Sequence, residues 1–125
     1  MADIAIVGLG NLGSRHLQGL AGCGIPLRIC LYDPLPDSLA RARERWVEVG
    51  GPESPHQLVE GYFSEYQLAI IATTADARPD AIGDLARRAR VGSWLVEKPV
   101  SQSREGSALI QRSIAGSPAW VNLPR

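Results

Sequence analysis

Lysine is almost missing from this chain. Of 13 basic residues only one is lysine, Lys98, in the tripeptide Glu97-Lys98-Pro99. An ammonium can shift its pKa and hand over a proton, whereas guanidinium stays charged. A solitary lysine closing the apolar run Trp94-Leu95-Val96 is therefore either a compositional accident on a loop or a chemical choice. Cysteine is scarce too. Cys23 and Cys30 make no metal-ligand pattern, fall at an expected helix end and in an expected buried strand, and suit small core residues kept reduced in a cytoplasm. Charge of either sign is not in excess, with 13 basic and 13 acidic residues, so no nucleic-acid partner is expected. The longest apolar runs, such as Leu68 to Ala72, are far too short to span a bilayer, and the N-terminus has no basic n-region or long apolar h-region. No membrane partner is expected, and a cytoplasmic location is.

What remains is ordinary for one globular domain: 125 residues, 45% hydrophobic and 21% charged. Asp3 to Val7 reads as a short apolar strand stopping at Gly8. A helix follows with Leu12, His16, Leu20 and Cys23 on one face. Leu27 to Tyr32 is continuously apolar, as a strand covered on both faces should be. Asp37 or Ser38 can cap a helix running to about Trp46. Trp46 to Val49 suggests a short third strand ended by Gly50-Gly51-Pro52, and Ser54-Pro55 the start of a short helix. Leu68 to Thr73 is the clearest buried strand. Pro79 opens a helix carrying Ile82, Leu85, Ala86 and Ala89, which Gly92 ends. Trp94 to Glu97, Ser103 to Ser113 and Ala119 to Asn122 complete the pattern as strand, helix and strand. Trp46, Trp94 and Trp120 are expected to be packing residues, and Arg87, Arg88 and Arg90 to suit a helix C-terminus. Strands alternating with helices imply an α/β fold, a doubly wound and mainly parallel sheet with helices on both faces.

Gly8-Leu9-Gly10-Asn11-Leu12-Gly13 matches G-x-G-x-x-G where the pattern has meaning, directly after a strand and opening a helix. Gly8 allows the tight turn, Gly10 lets the backbone approach a pyrophosphate, and Gly13 lets helix and strand pack closely. The helix start, Asn11 and Leu12 included, offers free N–H groups to phosphate. Asp33 closes the second strand, 20 residues after Gly13, where a carboxylate accepts hydrogen bonds from ribose hydroxyls and repels a 2′-phosphate. No arginine follows until Arg41, so NAD is favoured over NADP. In a parallel sheet ligands bind beyond the carboxyl ends of the strands. That edge also receives Thr73-Thr74 and Glu97-Lys98, as cofactor-side residues. The plainer alternatives are a ligand-free βα turn, an ordinary turn aspartate before Pro34, and turn chemistry for the two threonines. Pro99 should keep Lys98 extended, and whether their peptide bond is cis is open.

The loop followed by Ser14-Arg15-His16, then Ala72-Thr73-Thr74, then Glu97-Lys98-Pro99, resembles the Gfo/Idh/MocA oxidoreductases over essentially the whole chain. Their hallmarks are G-x-G-x-x-G-x-x-H and, far downstream, E-K-P. The resemblance implies a Rossmann-type NAD(P)-binding domain over residues 1–125. It also implies a catalytic role for Lys98 beside the nicotinamide and the substrate hydroxyl, with Glu97 as a motif residue. The substrate class it implies is a sugar, sugar nucleotide or polyol. The chain departs from the family after the fourth strand. Thr73-Thr74-Ala75 stands in place of Thr-Pro-Asn, and Arg78 falls where a histidine is common. Arg78 is expected on the surface at a helix start, His16 packed on the inner helix face, and His56 on the surface. Family members continue into a substrate domain, so this chain is expected to be the cofactor half of a longer enzyme, inactive alone. Self-association fits the family, where mostly the second domain pairs. The alternative function is a stand-alone nucleotide-binding or regulatory module without catalysis. No metal is expected.

Overall fold

The structure, a computed structural model, describes residues 1–98 and 103–122. The expected geometry at Pro99 and the continuation of the last strand through Leu123-Pro124-Arg125 lie outside the described residues. The elements run β1 (Ala2–Val7), α1 (Asn11–Leu20), β2 (Leu27–Tyr32), α2 (Pro36–Glu48), a 3-10 turn (Gly51–Glu53) and β3 (Gln57–Val59). They continue with β4 (Glu65–Ile71), α3 (Arg78–Arg88), β5 (Arg90–Glu97), α4 (Arg104–Ser113) and β6 (Ala119–Asn122). All six strands form one sheet in the order β3-β2-β1-β4-β5-β6, and every pairing is parallel. This is the Rossmann order, with its switch point between β1 and β4.

Two apolar layers explain the sandwich. Leu17 of α1 and Ala42 and Trp46 of α2 cover Ile4, Ile6, Ile29 and Ile70 on one face. Ile82 and Leu85 of α3 and Ile110 of α4 cover Ala5, Cys30, Ala69, Ile71 and Val96 on the other. Strands buried on both sides have no solvent face to alternate towards, hence their continuous apolarity.

The region from Trp46 to Val59 differs from expectation. Trp46 to Val49 is not a strand; α2 continues through Glu48. Trp46 follows Ala42 by one helical turn and both are buried, so the period there is helical. Gly50 then takes a left-handed φ of 76° to end the helix, and Gly51 slides beneath the indole. A Cβ on Gly51 would lie 2.1 Å from the Trp46 ring. The third strand is instead Gln57–Val59, where a short helix was expected. His56 just before it is buried, not superficial, because its Nδ1 accepts the Leu27 N–H at 3.1 Å.

Other expectations shift by less. Pro36 at the first helical position, not a side-chain cap, starts α2. Leu12 faces out, at 52% exposure, because Gly13, Ser14 and Leu17 form the inner face of α1. Gly92 lies inside β5, which begins at Arg90; a Cβ there would press to 3.1 Å from the Gln67 carbonyl. Trp46 and Trp94 are buried as expected, but Trp120 is exposed on the edge strand β6.

No helix joins β3 to β4. Residues 60–64 alone carry the chain past β2 and β1, although parallel connections normally need a dozen residues or more. Phe63 of this strap packs on the α3–α4 side core, and Tyr62 stacks on Tyr32 with ring centroids 4.5 Å apart. A short strap fills less volume than a helix would, and a cleft remains beside it. Among the described residues, no helix is long and apolar enough to cross a membrane.

Candidate nucleotide site at the sheet edge

The carboxyl ends of β1, β2, β4 and β5 share one edge, so the glycine loop, Asp33, Thr73 and Glu97-Lys98 gather there. The three motif glycines have different reasons to be glycine. Gly8 has φ 91°, and a Cβ on it would lie 2.6 Å from the Thr73 nitrogen. A Cβ on Gly13 would lie 1.8 Å from the Gly8 carbonyl oxygen. Both are therefore demanded by close packing of β1, α1 and β4. Gly10 has nothing within 4 Å of such a Cβ and an ordinary negative φ of −69°. Nothing among the described residues requires glycine there.

Helix α1 begins at Gly10 without a side-chain cap and without an acidic residue in its first turn. The N–H groups at a helix start lack intrahelical partners and carry the positive end of the dipole. Ser14 is fully buried, and its hydroxyl donates to the Leu9 carbonyl at 3.2 Å, which pins the loop from below. Asn11 and Leu12 are both exposed on this first turn, and Asn11 Oδ1 accepts from Arg45 at 3.2 Å.

Asp33 is fixed by backbone donors. Its Oδ2 accepts the Leu9 N–H at 2.7 Å and its Oδ1 accepts the Leu35 N–H at 2.8 Å. Each carboxylate oxygen has a second lone pair for another donor. A cleft of about 440 Å³ opens beside it, lined by Gly8, Asp33, Tyr62 and Thr73, with Ala81 and Asp84 from α3. Among the described residues its lining holds two carboxylates, Asp33 and Asp84, and no basic side chain, with Arg88 paired to Asp84 beside it.

The far wall is aromatic. Arg88 lies over the Tyr62 ring at 4.5 Å and bonds Asp84 at 3.1 Å. The Tyr32 hydroxyl donates to the Gly61 carbonyl at 2.6 Å, so Tyr66 must donate in the close Tyr66–Tyr32 hydroxyl contact. Burial, and then this contact, pushes the Tyr32 phenol upward, and burial does the same to Tyr66. Both stay protonated donors at neutral pH.

The two threonines separate. Thr73 lines the cleft, and its buried hydroxyl has no partner among the described residues. The Thr74 hydroxyl bonds the Asp76 carboxylate and holds that group below the usual carboxylate range. Arg78 is the largest surprise. It is 2% exposed, not superficial, and its guanidinium donates to the Glu97 carbonyl at 2.6 Å and to the Thr73 carbonyl. Burial lowers its pKa, and the nearby Glu97 charge opposes this. Glu97 is itself buried, and its Oε1 lies 2.5 Å from His16 Nε2. The helix histidine of the first motif thus touches the glutamate of the last. Lys98 follows Glu97 and is exposed. Sequence reasoning missed the Arg78 bridge and the Tyr62 wall. The His16–Glu97 pair was open to it only as two motif residues without known partners.

No family model and no curated protein matches the chain. Solved structures do. It is similar to myo-inositol dehydrogenase from Lactobacillus casei in complex with NAD(H) and myo-inositol, at TM-score 0.70 and 12% identity over 98% of this chain and 36% of that one. It is similar to myo-inositol 2-dehydrogenase from Lactobacillus plantarum, at TM-score 0.66 and 18% identity over 97% of this chain and 36% of that one. An NAD-binding protein from Listeria innocua gives TM-score 0.64 and 21% identity over 97% and 35%. The chain thus spans about a third of the length of these proteins. At these identities the likeness is one of fold, and that fold is the Rossmann-type α/β sandwich expected from the motifs.

Proposed function

We propose that this chain is the NAD-binding domain of an oxidoreductase that moves hydride between a nicotinamide and a carbinol or carbonyl carbon of a sugar- or polyol-like substrate. The observation that carries the reading is Gly10. Its position is open on the protein side, beside an uncapped helix start, so its lack of a side chain is explained by a ligand approaching the backbone. A neighbour that binds NAD(H) and myo-inositol supports the same cofactor and substrate class here.

The residues present fit a dinucleotide. The N–H groups of Asn11, Leu12 and Gly13 would take the pyrophosphate. Asp33 would accept from the ribose hydroxyls, and the unpartnered Thr73 hydroxyl offers a further donor inside the cleft. The Asp33 carboxylate beside the cleft opposes a 2′-phosphate, which supports NAD over NADP. When bound, the nicotinamide supplies the hydride acceptor or donor. Lys98 holds a proton at the substrate hydroxyl oxygen and takes or returns it as that carbon is oxidised or reduced. Substrate contacts beyond Lys98 would come from a second domain in a longer chain, with a cytoplasmic location. Glu97 contributes through its neighbours, since its carboxylate is engaged with His16.

Isothermal titration calorimetry of the 125-residue chain tests the premise. NAD should bind, and NADP should bind at least about tenfold more weakly, the equivalent of one unfavourable charge contact. Binding of neither nucleotide would overturn the proposal.

A further inference from the structure

Glu97, the residue before Lys98, is held from two sides by different elements. Its carboxylate meets His16 Nε2 from α1 at 2.5 Å, and its carbonyl accepts from Arg78 Nη1 of α3 at 2.6 Å. The same guanidinium reaches the Thr73 carbonyl, so the ends of β4 and β5 are bridged by one planar group. Glu97 and Arg78 are 6% and 2% exposed. Apolar residues of similar volume could join α1 to β5 without the desolvation cost of buried charge. Charged and forked groups give direction that apolar contact lacks. Here that direction is imposed at the peptide unit from which the lone lysine springs. We infer that His16, Glu97 and Arg78 are positioning residues that fix the root of Lys98 relative to the phosphate loop, with His16 as the link between helix and lysine.

This inference rests on the proposed role of Lys98, but its test needs no nucleotide. The chain has one lysine, so reductive ¹³C-methylation tags only Lys98 and the Met1 amine, and amine acylation followed by mass spectrometry reports Lys98 directly. His16→Leu removes the donor to Glu97. His16→Gln keeps an N–H at nearly the same reach. The Leu variant should move the Lys98 ¹³C signal and change its acylation rate about threefold or more, as when an amine shifts by ångströms beside an ion pair. The Gln variant should stay near the wild type. A folded His16→Leu protein with an unchanged Lys98, or equal responses in both variants, would overturn the inference. Should His16→Leu not fold, Glu97→Met, which removes the acceptor, takes the same two measurements, and an unchanged Lys98 there overturns it equally. Calorimetry with NAD stands apart: lost binding sinks the functional reading while the Lys98 response still decides this one.

Discussion

The glycine loop and the Glu97-Lys98 end occupy one edge of the sheet but are held in opposite ways. The loop is held by backbone. Gly8 and Gly13 interlock, Ser14 pins Leu9, and the Gly8 N–H donates to the Tyr32 carbonyl at 2.8 Å, while the Asp33 carboxylate and the Arg45 contact to Asn11 add side-chain bonds. The lysine end is held by side chains from α1 and α3, which join residues as far apart as His16 and Glu97. A backbone-held site tolerates almost no added atom where its strands and helix pack, as at Gly8 and Gly13. A side-chain-held site tolerates local change and depends on partners far along the chain.

The largest effects are expected inside the loop itself. Gly13→Ala should cost more than about 3 kcal/mol in chemical denaturation, since its Cβ meets a carbonyl oxygen that cannot move aside. Gly10→Ala should cost less than about 1 kcal/mol as a changed helix cap, yet weaken NAD binding about tenfold or more in calorimetry. If both variants lose stability equally, the distinction between packing and ligand glycines fails.

At the lysine end, Arg78→Met should cost about 2–3 kcal/mol by leaving two buried carbonyls unpartnered. Arg78→Lys should recover only part of that, because an ammonium lacks the fork that spans both acceptors. Asp33→Ala releases the Leu9 and Leu35 N–H groups, for about 1 kcal/mol in thermal melts. Its effect on NAD affinity should exceed its effect on stability, which places the residue at the site and not only in the loop. Lys98→Ala should shift stability by less than about 0.5 kcal/mol, since the side chain is exposed, and a larger loss would argue against a chemical role.

The smallest effect concerns Asp76. Its carboxyl is held low by the Thr74 hydroxyl, so the stability it adds is present above its unfolded pKa and is lost as pH falls through the folded one. Thr74→Val should raise the Asp76 pKa toward the ordinary value in a carboxyl NMR titration. No change there would return Thr74 to the cofactor side of the site.

Features that depend on near neighbours were legible in the chain. The G-x-G-x-x-G turn, the doubly buried strand Leu27 to Tyr32 and the acid closing β2 are each decided within one or two turns of chain, where sterics and hydrogen bonding are local. The tract from Trp46 to Val59 misled because a short apolar run suits helix and strand alike until Gly51 is seen beneath the Trp46 ring. Which polar groups meet was set by packing between distant elements. Nothing near Arg78 in sequence marks it as buried; the carbonyls that hold it belong to two different strand ends. Nothing near His16 names Glu97, because parallel strands bring together residues separated by whole βα units. The lone lysine could be read from composition, but the groups that give it a place could not, since their bonding is long-range.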